Sequence, residues 1–310
     1  MLLQITHETH YAYAPAVETA QHLAHLKPLQ TASQELLEHH LEIEPEPAQR
    51  SESVDVYGNA RAFFALESTH EALRVVARSL VRTTAPQPAA TVVRELPWDQ
   101  VRERLHYRKD AAYDPAVEFV FPSRYVPRHD DFAAYARESF PPGRPLFDAA
   151  QDLNQRMFRD FIYDGDSTEI STPAVQALAL RRGVCQDFAH IMIGCLRTLG
   201  LPARYVSGYL LTQPPPGETR LVGADASHAW VSVYLPGAEG PGDWADFDPT
   251  NGRQPGEDYV ALAVGRDFAD VSPMRGVLHG GARHTLKVGV TVEPVEDSAP
   301  SRQLQRHRPV

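Results

Sequence analysis

The sequence has little cysteine, no long apolar run and no excess of positive charge, and each shortage excludes a class of protein. Cys185 and Cys195 are the only cysteines in 310 residues, so a disulfide framework is excluded. No run approaches the roughly 18 apolar residues of a membrane-spanning helix. The 30 basic and 40 acidic residues give a net charge of −10, which argues against nucleic acid and acidic membranes as partners.

The start of the chain and its composition indicate a cytoplasmic globular protein. The segment MLLQITHETHYAYAP has neither the basic region nor the apolar stretch of a secretory signal. With 43% hydrophobic and 23% charged residues the composition is ordinary for a folded chain, and the length suits two domains. The sequence contains neither a phosphate-binding glycine loop nor a dinucleotide fingerprint, so we expect no cofactor.

Histidines and acidic residues lack the spacing of metal sites. His7–His10 lies on a predicted strand and does not form the helical arrangement of zinc proteases. His22–His25 and His39–His40 have no cysteines nearby as further ligands and do not match the spacing of zinc sites. Asp164–Asp166 begins like a calcium loop, but the glycine and the bidentate glutamate of such a loop are missing. We therefore expect no metal.

Short alternating runs predict an all-β domain over residues 1–83. They are LLQITHETHYAYA, ELLEHHLEI, SVDVYGNARAFFALE and ALRVVARSLVR. Gly58–Asn59 is a predicted hairpin turn, and EPEPAQRSES is a predicted loop because of its proline and serine content. A proline-rich connector follows over residues 84–129.

Residues 130–295 combine helical and extended patterns, which predicts an α+β core. Helices are expected from Asp130, from Pro145, from Thr172 and over VCQDFAHIMIGCLRTLGLP, where Gly200 ends the helix. The apolar stripe of the second is Leu146, Ala150, Leu153, Met157 and Phe161, and that of the last is Phe188, Met192, Cys195 and Leu199. ARYVSGYLL, HAWVSVYL and DWADFDP predict antiparallel strands, and HTLKVGVTVEP could return to the sheet. The polar tail over residues 296–310 is expected to be disordered.

Cys185 lies just after Gly183, in the first turn of the last of these helices. Unpaired backbone N–H groups and the helix dipole favour an anion there, and a thiolate is the form of cysteine that attacks carbonyls. The alternative is a small buried apolar residue, which is the interpretation for Cys195 in the apolar stripe of the same helix. Cys195 is roughly 15 Å further along the helix, so the two thiols cannot pair.

His228 and Asp248 could complete a catalytic site with Cys185. On an extended strand His228 shares one face with Trp230, Ser232 and Tyr234, so we expect its imidazole beside a helix N-terminus packed on that face. Asp248 closes the next predicted strand, where a carboxylate could orient the imidazole. Taken singly, each is more often a structural residue. Together, however, a cysteine nucleophile, a histidine base and an orienting carboxylate at these positions favour catalysis.

Three segments carry a family resemblance. GVCQDFAHIMIGCLRTLGLPARYVSGYL, SHAWVSVYLPG and WADFDPTNG resemble the nucleophile, histidine and aspartate motifs of the transglutaminase-like superfamily, in the same order. The N-terminal region, with Tyr11–Tyr13, Leu26–Pro28 and Asp55–Asn59, is similar to the β domain of the bacterial members. The resemblance implies a β domain followed by a papain-like core.

The resemblance also implies a Cys-His-Asp mechanism. Cys185 would attack a carboxamide or peptide carbonyl, His228 would move protons, and Asp248 would orient His228 while a thioester forms. An amine acceptor gives transamidation, and water gives deamidation or proteolysis. The Cys185 N–H would form part of the oxyanion hole.

The same motifs suggest residues that could line the site and functions other than acyl transfer. Gln186, Trp230 and Tyr209 are candidates to line the site, while Asp187 is expected to cap or pair locally. The partner is expected to be a protein or peptide substrate. A cysteine protease or amidase with the same triad is the nearest alternative, and an inactive binding scaffold is another. The sequence carries no signal of oligomeric state.

Overall fold

The computed structural model describes residues 1–85, 95–107, 109, 113–212, 226–237, 243–281 and 283–296. The predicted tail beyond residue 296 and part of the predicted connector, residues 86–94, 108 and 110–112, lie outside these ranges. Helices are α1 Trp98–Leu105, α2 Asp130–Ala136, α3 Leu146–Asp160, α4 Ala174–Leu180, α5 Cys185–Thr198 and α6 Phe268–Val271, with a 3₁₀ helix at Pro115–Val120. Strands are β1 Leu2–Ala24, β2 Gln34–Glu44, β3 Gln49–Val54, β4 Ala60–Leu66, β5 His70–Thr83, β6 Ile162–Tyr163, β7 Arg182–Gly183, β8 Ala203–Leu210, β9 Ala226–Leu235, β10 Asp243–Phe247, β11 Tyr259–Gly265, β12 Met274–Gly280 and β13 Arg283–Pro294.

The N-terminal region forms an antiparallel sheet in the order β2-β5-β1-β4-β3. This confirms the predicted all-β region. The prediction of a loop over EPEPAQRSES is wrong in its second half, because residues 49–54 form β3 and pair with β4 through a hairpin. Gly58, with a φ of +87°, allows that turn, and the ladder hydrogen bonds outweigh the loop-like composition.

The same sheet receives two strands from the far end of the chain. β12 and β13 both pair with the edge of β1 that β4 and β5 leave free, in registers that place Val17 opposite Gly280 and Leu3 opposite Pro294. The last alternating run thus returns to the N-terminal sheet and not to the sheet of the core. The predicted core range, residues 130–295, therefore includes β12 and β13, whose backbones hydrogen-bond to β1 of the N-terminal sheet.

The predicted helices of the core are present. Leu146, Ala150, Leu153 and Met157 of α3 are buried, as are the apolar residues of α5. α5 ends where Gly200 takes a φ of +80°, a conformation that glycine adopts without strain. α4 begins one residue later than Pro173, which occupies the cap position without a side-chain hydrogen bond.

The core sheet has the order β10-β9-β8-β11 and packs on α5. Its three predicted strands are antiparallel neighbours, and β11 is an additional edge strand that the sequence analysis did not predict. Ala229, Val231 and Val233 of β9 pack in the same apolar cluster as α5. The prediction that the helix covers the face of His228 and Trp230 is therefore wrong, because the apolar face of β9 is the one that excludes water against the helix.

Candidate active site

Cys185 is the first residue of α5, and the turn before it is tightly held. The Asp187 carboxylate, which is buried, accepts hydrogen bonds from the Val184 N–H at 2.9 Å and from the Thr168 hydroxyl at 2.7 Å. A side chain at Gly183 would place its Cβ only 2.6 Å from Asp187 Oδ2, so this turn needs glycine. Asp187 thus caps the helix locally, as predicted, and fixes the N-terminus that carries the thiol.

The two cysteines lie in opposite environments. Cys185 is half-buried, whereas Cys195 is fully buried in the apolar core. Burial raises the pKa of Cys195 to about 12, because a thiolate there would have no water to solvate it. Cys195 therefore stays a neutral thiol and serves as an internal reference for the reactivity of Cys185.

His228 links Cys185 to Asp248. Its Nε2 lies 2.7 Å from Asp248 Oδ2, and the side chain of Cys185 lies near enough to the same imidazole to raise its pKa. With Nε2 directed at the carboxylate, Nδ1 is the ring nitrogen left for the sulfur. Burial disfavours the charged ring, but the hydrogen bonds and charges of Asp248 and Cys185 outweigh burial and raise the pKa of His228 to about 10.

Four donors besides His228 hold the Asp248 carboxylate, which is fully buried. Oδ1 accepts the backbone N–H groups of Thr250 at 2.9 Å and Asn251 at 3.3 Å, while Oδ2 accepts the Asn251 amide at 2.6 Å and the Tyr259 hydroxyl at 2.7 Å. Burial alone would raise the pKa of Asp248, but its hydrogen bonds to His228, Tyr259 and Asn251 lower it below the ordinary value. The carboxylate therefore stays charged and fixed in orientation beside the imidazole.

Comparison with known proteins establishes the family. Residues 3–82 match the bacterial transglutaminase-like N-terminal region, and residues 133–249, which include Cys185, His228 and Asp248, match the transglutaminase-like superfamily. An uncharacterized protein of Mycobacterium tuberculosis is 38% identical over 299 residues, which cover 96% of this chain and 94% of that relative. The chain belongs to the transglutaminase-like superfamily.

Two further relatives extend this assignment. A solved structure from Cytophaga hutchinsonii, provisionally assigned as a cysteine protease, has a TM-score of 0.69 and 22% identity and covers 96% of this chain and 92% of its own. It shows that the α+β fold with its N-terminal β region is shared. A protein-glutamine gamma-glutamyltransferase of Pseudomonas aeruginosa is 28% identical over 166 residues, which are 48% of this chain and 24% of that enzyme.

Within this transglutaminase-like core, Trp230 lies behind the imidazole. It is buried, its Nε1 donates to Asp246 Oδ2 at 3.0 Å, and its ring centroid is 6.2 Å from that of His228. A Cβ at Gly208 would lie 2.5 Å from the Trp230 ring, so the neighbouring strand needs glycine to let the indole pack. Trp230 therefore borders the triad from the protein interior.

The other two predicted lining residues lie in different places. The Tyr209 hydroxyl is 2.8 Å from His7 Nδ1, and its ring is buried with Leu3 and Val260 between the two sheets. Its contacts place it in that interface and not at Cys185. Gln186 is half-buried next to Cys185, and its Nε2 donates to the Ile170 carbonyl at 3.3 Å.

Asn251 and Tyr259 are site residues that sequence reasoning missed. Asn251 falls within the motif WADFDPTNG, and its place three residues after Asp248 could have marked it as a partner of the carboxylate. Tyr259 begins β11, and no local sequence pattern predicts its contact with Asp248. Only the pairing of β11 with β8 brings the Tyr259 hydroxyl to that carboxylate. Both act on the imidazole through the carboxylate.

For the amide acyl transfer that is proposed below, we expect Tyr259→Phe to lower kcat/KM roughly 10- to 100-fold. The variant removes one hydrogen bond to a buried carboxylate, an interaction of roughly 1.5 to 3 kcal/mol. Tyr209→Phe is the matched control, since it removes a comparable buried hydroxyl from the sheet interface. Rates and thermal midpoints of both variants should be measured. An unchanged rate in Tyr259→Phe, or an equal loss in both, would contradict a positioning role for Tyr259.

His7 and His10 each have another hydrogen-bond partner. His7 is buried against Tyr209, while His10 is exposed and hydrogen-bonds Glu8, so the two rings do not converge. In the part of the chain that the structure describes, no group of three or more histidine, cysteine or acidic side chains is placed to hold a metal. Within the same residues no helix is long and apolar enough to cross a membrane.

Proposed function

We propose that this protein transfers the acyl group of protein or peptide amides through a thioester on Cys185. The observation that carries the proposal is the position of His228, which lies 2.7 Å from Asp248 and beside Cys185. A histidine with a pKa of about 10 is protonated at neutral pH, and its charge favours the thiolate form of the neighbouring cysteine.

The residues divide the reaction between them. The sulfur of Cys185 attacks the amide carbon, and the backbone N–H of Cys185 at the start of α5 is placed to donate to the developing oxyanion. The protonated His228 gives its proton to the departing amine, so that ammonia leaves and a thioester remains. An incoming amine or water then gives its proton to His228 and releases Cys185. Asp248 keeps the ring oriented through both steps.

Amide chemistry is supported by two related comparisons. The fold is that of the transglutaminase-like superfamily, and a relative in Pseudomonas aeruginosa bears the name protein-glutamine gamma-glutamyltransferase. The acceptor decides whether the product is a crosslink or a hydrolysed amide, because the thioester is common to both routes. A single incubation can therefore distinguish transamidation from hydrolysis by the product that forms.

The test is to incubate the protein with a glutamine peptide, with and without a primary amine, and to identify products by mass. We expect a product in which the amine replaces the side-chain ammonia. Conversion of glutamine to glutamate, or cleavage of the peptide, would assign the hydrolytic alternative. Cys195→Ala is the matched control and should give the same products. If no product forms with any glutamine peptide while the peptides still bind, the scaffold interpretation replaces this proposal.

A further inference from the structure

Four large apolar side chains are exposed around the N-terminal end of α5. They are Phe158, Ile162, Tyr163 and Ile170, with 54%, 54%, 59% and 62% of their surfaces exposed. We call them the flanking patch. Exposed apolar residues scattered singly are normal, but a group of them beside a reactive site indicates a surface that a ligand covers.

One side of the flanking patch is tied to the turn that carries Cys185. The strand β6 pairs with β7, so that Tyr163 lies opposite Gly183, and the Asp164 N–H donates to the Gly183 carbonyl at 2.9 Å. Burial and, to a smaller extent, the nearby Cys185 raise the pKa of the Tyr163 hydroxyl. Ile170 is held by the hydrogen bond from Gln186, the neighbour of Cys185. Tyr163 and Ile170 therefore lie next to the nucleophile.

The other side of the flanking patch adjoins the aspartate loop. Phe158 lies against Gly252, where an added Cβ would come within 2.7 Å of the Phe158 ring. Gly252 follows Asn251, whose amide holds Asp248 and lies 3.5 Å from His228 Nε2. Ile162 follows Phe158 in the chain and begins β6, where it pairs with Arg182 of β7. The apolar side chains thus border the triad from both of its ends.

Acidic side chains accompany the patch. Asp164 is paired with Arg182 at 3.3 Å, whereas Asp166 and Glu169 are exposed and have no ion pair with any of the residues that the structure describes. Their negative charge would attract a basic side chain and repel an acidic one, more strongly at low salt. A peptide that has both an apolar residue and a basic residue near the reacting amide would match this surface.

We propose that the flanking patch binds the peptide that carries the reacting amide, and that it selects an apolar residue next to the glutamine together with a nearby basic residue. The inference rests on the proposed acyl-transfer function and specifies its substrate. Covering these side chains would remove apolar surface from water and bring the carboxamide to Cys185. Binding energy from the neighbouring residue would then raise kcat/KM.

The experiment uses four glutamine peptides that differ only in the residue beside glutamine, leucine or serine, and in a residue two positions further, lysine or glutamate. We expect the leucine-lysine peptide to have a kcat/KM at least 10-fold above that of the serine-glutamate peptide, in the range that one apolar side chain gives. The double variant Tyr163→Ser, Ile170→Ser should lose the preference for leucine. Val277→Ser, which alters an exposed apolar residue on β12, is the matched control and should keep it.

Protection of Cys185 against alkylation by the same peptides separates the two proposals. Turnover of all four peptides at equal rates would overturn the role of the flanking patch and leave acyl transfer intact. Protection by the leucine peptides without turnover of any peptide would overturn acyl transfer and support the patch. Absence of both turnover and protection would overturn both.

Discussion

Cys185→Ala is expected to abolish amide turnover, with a fall in kcat of more than about 10⁴-fold. Without the sulfur no thioester can form, and the oxyanion donor and the bound imidazole alone cannot replace a nucleophile. The half-buried site loses only a small group, so the thermal midpoint should stay close to that of the unaltered protein. Product formation by mass and unfolding by circular dichroism measure the two quantities.

Cys195→Ala gives the opposite pattern and is the control for this variant. Its thiol is fully buried in the core, so its removal should lower the free energy of unfolding by about 1 kcal/mol and leave turnover unchanged. Retention of turnover in Cys185→Ala would show that another group forms the covalent bond, and the mechanism would have to be abandoned.

His228→Ala is expected to reduce kcat by roughly 10⁴-fold or more and to change how Cys185 alkylation depends on pH. The pKa of His228 is raised to about 10, so its ring is charged at neutral pH, and removing that charge is expected to slow the reaction of Cys185 there. Free thiols ionise near pH 8.5, so the two proteins should differ most below pH 7 and converge above pH 9.

The measurement is the alkylation rate of each cysteine from pH 5 to about pH 10, with peptide mass analysis to locate the label. Cys195 should react slowly at every pH because burial raises its pKa to about 12. His40→Ala, which removes an exposed histidine from the N-terminal sheet, should follow the unaltered protein. Identical profiles for His228→Ala and the unaltered protein would mean that the imidazole does not activate Cys185.

Local patterns were sufficient to predict the elements that carry the triad. The apolar stripe and Gly200 define α5, and strand alternation places His228 and Trp230 on one face. Alternation does not predict which face of β9 packs against α5. That orientation depends on Trp230 and Ser232, whose polar atoms hydrogen-bond Asp246 on the face away from α5.

Long-range pairing explains what the sequence analysis missed. The segment YVALAVG is a short apolar run, a pattern that a buried strand and a piece of buried helix share. Its pairing with β8, and thus the contact between Tyr259 and Asp248, depends on residues far away in the chain. The same holds for Tyr209, because its position between two sheets requires knowing that β13 packs beside β1.

The pairing of β1 with β13 affects how the chain folds during synthesis. Leu3 pairs with Pro294, which is synthesised 291 residues later, a delay of roughly 15 to 60 s at ordinary rates of translation. Until then one edge of β1 stays bare and open to pairing with other chains. Val290 and Val292 of β13 belong to the same buried apolar cluster as Val260, the neighbour of Tyr259. We therefore expect nascent chains that lack β13 to aggregate readily and to acquire a reactive Cys185 only after β13 has been made.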